Sequence, residues 1–155
     1  VAISNHFPTT ATYFCPGNHD QQIGFLSEHL QELHAEQSEK SKYIQGLSDT
    51  DGVKSFDIGK HWSIVMLNSM LENQIHGELS EDVISELDNL LLRMELETPS
   101  RSVMLALHHP PFPPAGDIPP WVGFCLESRD RLLDTIKQHF SVRVVITGYA
   151  DSLEY

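Results

Sequence analysis

Tyr13-Phe14-Cys15-Pro16-Gly17-Asn18-His19-Asp20 joins an apolar run to three polar side chains of different chemistry. Thr10 to Cys15 reads as a β-strand, and Pro16-Gly17 stops it. Glycine reaches backbone angles closed to other residues, so a tight loop is expected at this strand end. Ligand and catalytic groups tend to be built at strand ends in sheets covered by helices. Asn18 offers an amide oxygen, His19 a ring nitrogen, and Asp20 a carboxylate able to orient that ring. The same residues also fit a polar turn in which Asp20 caps the next helix.

Downstream, the hydrophobic period alternates between helix and strand. Ile23, Leu26, Leu30 and Leu33 recur at helical spacing, which predicts an amphipathic helix over 22–37. Val1 to Pro8 reads as a helix end and turn, and the polar 38–52 stretch as a loop. Ser55–Gly59 and Ser63–Asn68 predict an antiparallel hairpin around Lys60-His61-Trp62, ending in the polar pair Asn68-Ser69. Ser80 is an N-cap candidate, with Glu81 and Asp82 behind it and Leu79 and Ile84 placed for a hydrophobic staple. The following helix carries an apolar stripe from Val83 to Met94 and stops before Pro99.

Val103–Leu107 is apolar enough for a strand buried on both faces, and it delivers His108-His109-Pro110-Pro111. A proline-rich loop over 112–120 follows, with Trp121 to Phe124 as a rim. A last helix is marked by Leu132, Leu133, Ile136 and Phe140. Val142–Thr147 is a final strand ending at Gly148-Tyr149-Ala150-Asp151. The order β, α, ββ, α, β, loop, α, β predicts one α/β domain over residues 1–155 with mixed strand directions.

Composition narrows the function classes. The 155 residues include 10 Lys and Arg against 22 Asp and Glu, a formal charge of −12. Such a chain is a poor partner for nucleic acid or an anionic membrane and is compatible with divalent cations. No apolar run approaches the roughly 20 residues of a membrane span. Cys15 and Cys125 lack zinc-type spacing, and Cys15 reads as a buried thiol, which suits a reducing cytoplasm. Of nine histidines, only His19 and the His108-His109 pair follow apolar runs and precede loop punctuation. The others read as surface or satisfied side chains. No G-x-S-x-G elbow, P-loop or G-x-G-x-x-G occurs, and neither cysteine has an activating electropositive setting. If the three strand ends converge, they bring amide, imidazole and carboxylate together. That donor mixture suits Mn, Fe or Zn. Paired metals about 3.5–4 Å apart are a known solution for phosphate-ester hydrolysis.

Pro-Gly-Asn-His-Asp at 16–20, strand-His-His-Pro-Pro at 104–111 and strand-x-Gly at 144–148 resemble, in order, the later motifs of calcineurin-like metallophosphoesterases. Trp62 to Ser69, His76-Gly77-Glu78-Leu79-Ser80 and His108 to Gly116 resemble the bacterial class III 3′,5′-cyclic AMP phosphodiesterases. The resemblance implies a mixed β-sandwich flanked by helices, here a partial domain incomplete at both ends. It implies that Asn18 and His108 are metal ligands, that His19 contacts the phosphate, and that Asp20 orients His19. His109 and Asp151 are then either further ligands or supports behind them. The implied cofactor is a dinuclear Mn/Fe (or Zn) centre. The implied reaction is in-line attack of a metal-bound hydroxide on a small phosphodiester, cyclic AMP being what the middle segment suggests.

The family's D-x-H and G-D motifs are not found before Asn18, and its later G-H-x-H is replaced by Gly148-Tyr149-Ala150-Asp151. A phenol ionises at about pH 10, so Tyr149 is a poor ligand at neutral pH. With no initial Met and a site loop this early, further sequence upstream is expected to carry the remaining ligands. The competing expectations are a degenerate relative serving as a binding or regulatory module, and an unrelated domain with polar loops.

Overall fold

The computed structural model describes residues 12–15, 17, 44–47, 51–71, 74, 76–112 and 123–148. The helix expected over 22–37, the Val1–Pro8 turn, Asn18, His19, Asp20, most of the proline-rich loop, Tyr149 and Asp151 lie outside these residues.

The core is built on two adjacent parallel strands, β4 (Trp62–Leu67) and β5 (Ser102–Leu107). In this chain order, β1 is Thr12–Phe14, β2 is Ile44–Gly46, β3 is Val53–Ile58 and β6 is Val142–Thr147. The helices are α1 (Glu81–Glu97), between β4 and β5, and α2 (Leu126–Gln138), between β5 and β6. Parallel neighbours require such crossovers, because a tight turn cannot return the chain to the same end. The four-stranded sheet runs β3-β4-β5-β6, and β3 is antiparallel to β4. Ile58 pairs with Trp62 across Gly59-Lys60-His61, and Gly59 takes a φ of 62°, where a side chain would be strained.

Side chains alternate across this sheet as a two-residue period requires. Val65, Leu67, Val103, Leu105 and Leu107 pack with Leu87 and Leu91 of α1 and Leu132 of α2. Ile64, Met66 and Ala106 face the other way, against Leu47 with Tyr13 and Cys15. These last residues belong to or flank the parallel pair β1-β2, so a second small sheet covers the face that the helices leave. The layers are helices, four strands, two strands: an α/β fold with the sandwich the sequence led us to expect. Each fully buried Leu or Val contributes about 1.5–3 kcal/mol of transfer free energy.

α1 begins as its sequence predicts. Ser80 is extended, and its hydroxyl accepts a hydrogen bond from the Val83 amide at 3.3 Å. Three expectations need correction. The polar 38–52 stretch is not all loop, since Ile44–Gly46 pairs with β1. Phe140 lies past the end of α2 and is 59 % exposed, because the helix runs from Leu126 and is closed at His139. Phe124 is a core residue rather than a rim, bridged to Gly77 by backbone pairing.

Candidate active site

The register places three strand ends in one row. Leu67 pairs with Leu107, and Leu107 pairs with Thr147. Asn68-Ser69, His108-His109 and Gly148 therefore leave the sheet at the same edge, the carboxyl ends of its parallel strands. That edge is the usual place for ligands in open α/β sheets. The β1 loop reaches it too: the Cys15 thiol donates to the Leu67 carbonyl at 3.3 Å.

His108 is the meeting point. A Cβ built on Gly17 would lie 2.7 Å from its Cε1, 2.9 Å from Nδ1 and 3.2 Å from Nε2. The Gly17 backbone thus approaches the half-buried ring at a distance only glycine permits. On the β6 side, the Gly148 amide donates to the His108 carbonyl at 3.2 Å, and a Cβ at 148 would stand 3.4 Å from the ring Nδ1. So the segments that follow the first and sixth strands both approach the imidazole at the end of the fifth.

His109 turns the other way and is fully buried. Its Nδ1 lies 2.9 Å from the hydroxyl of Ser69, which is buried as well, and its amide donates to the same oxygen at 3.4 Å. Its ring meets that of His108 edge-on, with centroids 4.8 Å apart and planes at 80°. Gly77 backs this ring: a Cβ there would fall 2.5 Å from Cγ of His109. Gly77 is itself held at both backbone groups, donating to the Gly123 carbonyl at 2.9 Å and accepting from the Cys125 amide at 2.8 Å. Ser69 and Gly77 were not selected from sequence as parts of a site. The available signal was Asn68-Ser69 closing an apolar strand parallel to the one that ends at His108.

Asn18, His19, Asp20 and Asp151 lie outside the described residues; Asn18 is bonded to Gly17, and Asp151 follows Gly148 by three residues. Among the described residues no group of three or more His, Cys, Asp or Glu is placed to hold an ion. His108 nevertheless places at this edge a donor type that divalent metals use, and Asn18 follows Gly17 in the sequence.

Among the described residues, the other buried histidine is structural. His139 sits between Asp88 and Glu95 of α1, with Nε2 at 2.8 Å and Nδ1 at 3.2 Å from their carboxylates. It is the satisfied histidine that its polar surroundings suggest. Burial pushes the Glu95 carboxyl up, but the hydrogen bond from the Ser141 amide at 2.9 Å and the contact with His139 outweigh this and hold it below its ordinary value.

The chain is related to bacterial 3′,5′-cyclic-nucleotide phosphodiesterases. It is 29 % identical over 140 residues to the 3′,5′-cyclic-nucleotide phosphodiesterase alr5338 of Nostoc sp., covering 90 % of this chain and 44 % of that protein. It is 35 % identical over 98 residues to the 3′,5′-cyclic adenosine monophosphate phosphodiesterase CpdA of Escherichia coli, covering 63 % of this chain and 28 % of that protein. A probable cyclic nucleotide phosphodiesterase of Moraxella catarrhalis is 26 % identical over 136 residues, covering 86 % of this chain and 44 % of that protein. The chain spans less than half the length of these relatives. No protein-family model matches it. No helix among the described residues is long and apolar enough to cross a membrane.

Proposed function

We propose that this chain is part of a metal-dependent phosphodiesterase acting on a 3′,5′-cyclic nucleotide, cyclic AMP being the leading substrate, in the cytoplasm. The observation that carries the reading is the convergence of Gly17 and Gly148 on His108. In this reading His108 and Asn18 hold a divalent ion of a dinuclear Mn/Fe (or Zn) centre, and Asp151 is a further oxygen donor. When bound, such ions acidify water and neutralise phosphoryl charge. The chain's own residues do the rest. His108 holds its ring in a fixed plane between the Gly17 backbone and His109. His19 contacts the phosphate and stabilises the departing oxygen, and Asp20 fixes the orientation of His19. A positioned imidazole of this kind contributes about 10²–10⁴-fold to such a step.

The test uses the full-length protein with Mn²⁺ and cyclic AMP. We expect hydrolysis to require the metal and to fall at least about 10²-fold in His19→Ala, with the fold intact by circular dichroism. His108→Ala should lose both metal and activity. A second reading, a degenerate binding module, is favoured by the replacement of both histidines at Gly148-Tyr149-Ala150-Asp151. Retained cyclic AMP binding without turnover at any metal concentration would establish that reading and overturn the first.

A further inference from the structure

We infer that His109 is a positioning residue for His108, held by a buried bracket formed from Ser69 and Gly77. This rests on the reading of His108 as a metal ligand, and it gives a task to the neighbouring histidine. The torsion that turns an imidazole about its Cβ–Cγ bond is soft and has no sharp minimum. A histidine at a strand end therefore points where its neighbours make it point. One face of His108 is set by the Gly17 backbone. The T-shaped contact with His109 at 4.8 Å sets another side. That contact restrains His108 only if His109 cannot itself turn.

Three features stop it. Its ring is fully buried, in an interior too densely packed for the ring to swing. Its Nδ1 is in hydrogen-bond contact with Ser69 Oγ at 2.9 Å, and losing that contact would strand two buried polar groups. Gly77 closes the third side, and its backbone is pinned to Gly123 and Cys125 on the far side of the proline-rich loop. Ser69 is pinned in turn, its carbonyl accepting from the Glu78 amide at 3.1 Å. The bracket thus joins the end of β4 and the approach to both helices to the ring behind His108. Groups that orient a metal-binding imidazole from behind are typically worth about 10–100-fold in metal affinity.

The experiment measures Mn²⁺ affinity of the full-length protein by calorimetry, alongside its melting temperature. Ser69→Ala removes the hydroxyl with little change of volume. His109→Leu removes ring nitrogens, and His109→Asn restores a polar atom near the Nδ1 position. We expect Ser69→Ala and His109→Leu to weaken Mn²⁺ binding about 10-fold or more while remaining folded at the assay temperature, and His109→Asn to recover most of the loss. Gly77→Ala, which drives a methyl into the His109 ring, should weaken binding in the same direction. If folded Ser69→Ala and His109→Leu bind Mn²⁺ as tightly as the wild type, His109 is structural only and the inference is wrong. If His108→Ala binds as tightly as the wild type, or the wild type binds none, the ligand reading itself fails and this inference falls with it.

Discussion

Gly17→Ala tests the convergence of the site most directly. The new methyl would sit 2.7 Å from Cε1 and 2.9 Å from Nδ1 of His108. Carbon–carbon contacts are most favourable at about 3.5–4.0 Å, so the overlap is about 1 Å. An imidazole is flat and cannot fold out of the way. His109 stands on another side at 4.8 Å between ring centroids, and Gly148 approaches from β6. Either the ring turns or the backbone at Gly17 lifts by a comparable distance. Overpacking of this kind costs about 1–3 kcal/mol, which for a protein of this size or somewhat larger lowers Tm by about 2–4 °C per kcal/mol. Displacing positioned groups by about 1 Å costs about 10²-fold in rate, equivalent to about 2.7 kcal/mol of barrier. The assays are thermal denaturation and kcat/KM for cyclic AMP with Mn²⁺ at saturation. Gly148→Ala is the control. Its methyl would stand 3.4 Å from the ring, an ordinary contact, on an exposed residue whose φ is not positive. It should change stability by no more than about 0.5 kcal/mol. If Gly17→Ala matches the wild type in both measurements, or Gly148→Ala proves as damaging, the two loops do not meet on His108 as described.

Two further outcomes concern stability. Ser80→Ala removes the hydroxyl that accepts from Val83 at the start of α1 and should cost about 1 kcal/mol in urea denaturation, with Ser80→Asp retaining most of it. Glu95 has its folded pKa held below the ordinary value of 4.5, so its contribution is present above that value and is lost as pH falls through the lower folded one. Denaturation between pH 6 and 3 should therefore show a steeper acid loss in the wild type than in Glu95→Gln; equal slopes would refute the assignment.

The sequence was most legible where local patterning governs a whole element. β4 and β5 follow from continuous apolar runs that are buried almost throughout, and α1 follows from its apolar stripe and the Ser80 cap. β2 was not legible. Ile44-Gln45-Gly46 is short, lies in a polar stretch, and becomes a strand by pairing with β1 across a wide sequence separation. Phe124 misled for a related reason: its burial comes from the Gly77 bridge and the helix core, not from its neighbours in sequence. Phe140 misled in the opposite sense. It continues the helical spacing of Leu132 and Ile136, but His139 has already left the helix, and its ring is drawn to Asp88 and Glu95 of α1.

The same distinction separates the two histidines at the end of β5. His108 could be found from sequence because an apolar strand points at it and a proline-rich loop follows. What sequence does not show is why a soft side chain at such a position holds one orientation. In the fold, each ring is matched by a glycine from a distant segment, Gly17 for His108 and Gly77 for His109. In both cases the missing Cβ is the space the ring occupies. A glycine read along the chain suggests a turn, since backbone freedom is its local property. Here its decisive property is absent volume, which acquires meaning only when the strand ends are brought into one row. Orientation at this edge is therefore a product of tertiary packing, and substitutions that restore a side chain at 17 or 77 should disturb it without touching any polar group.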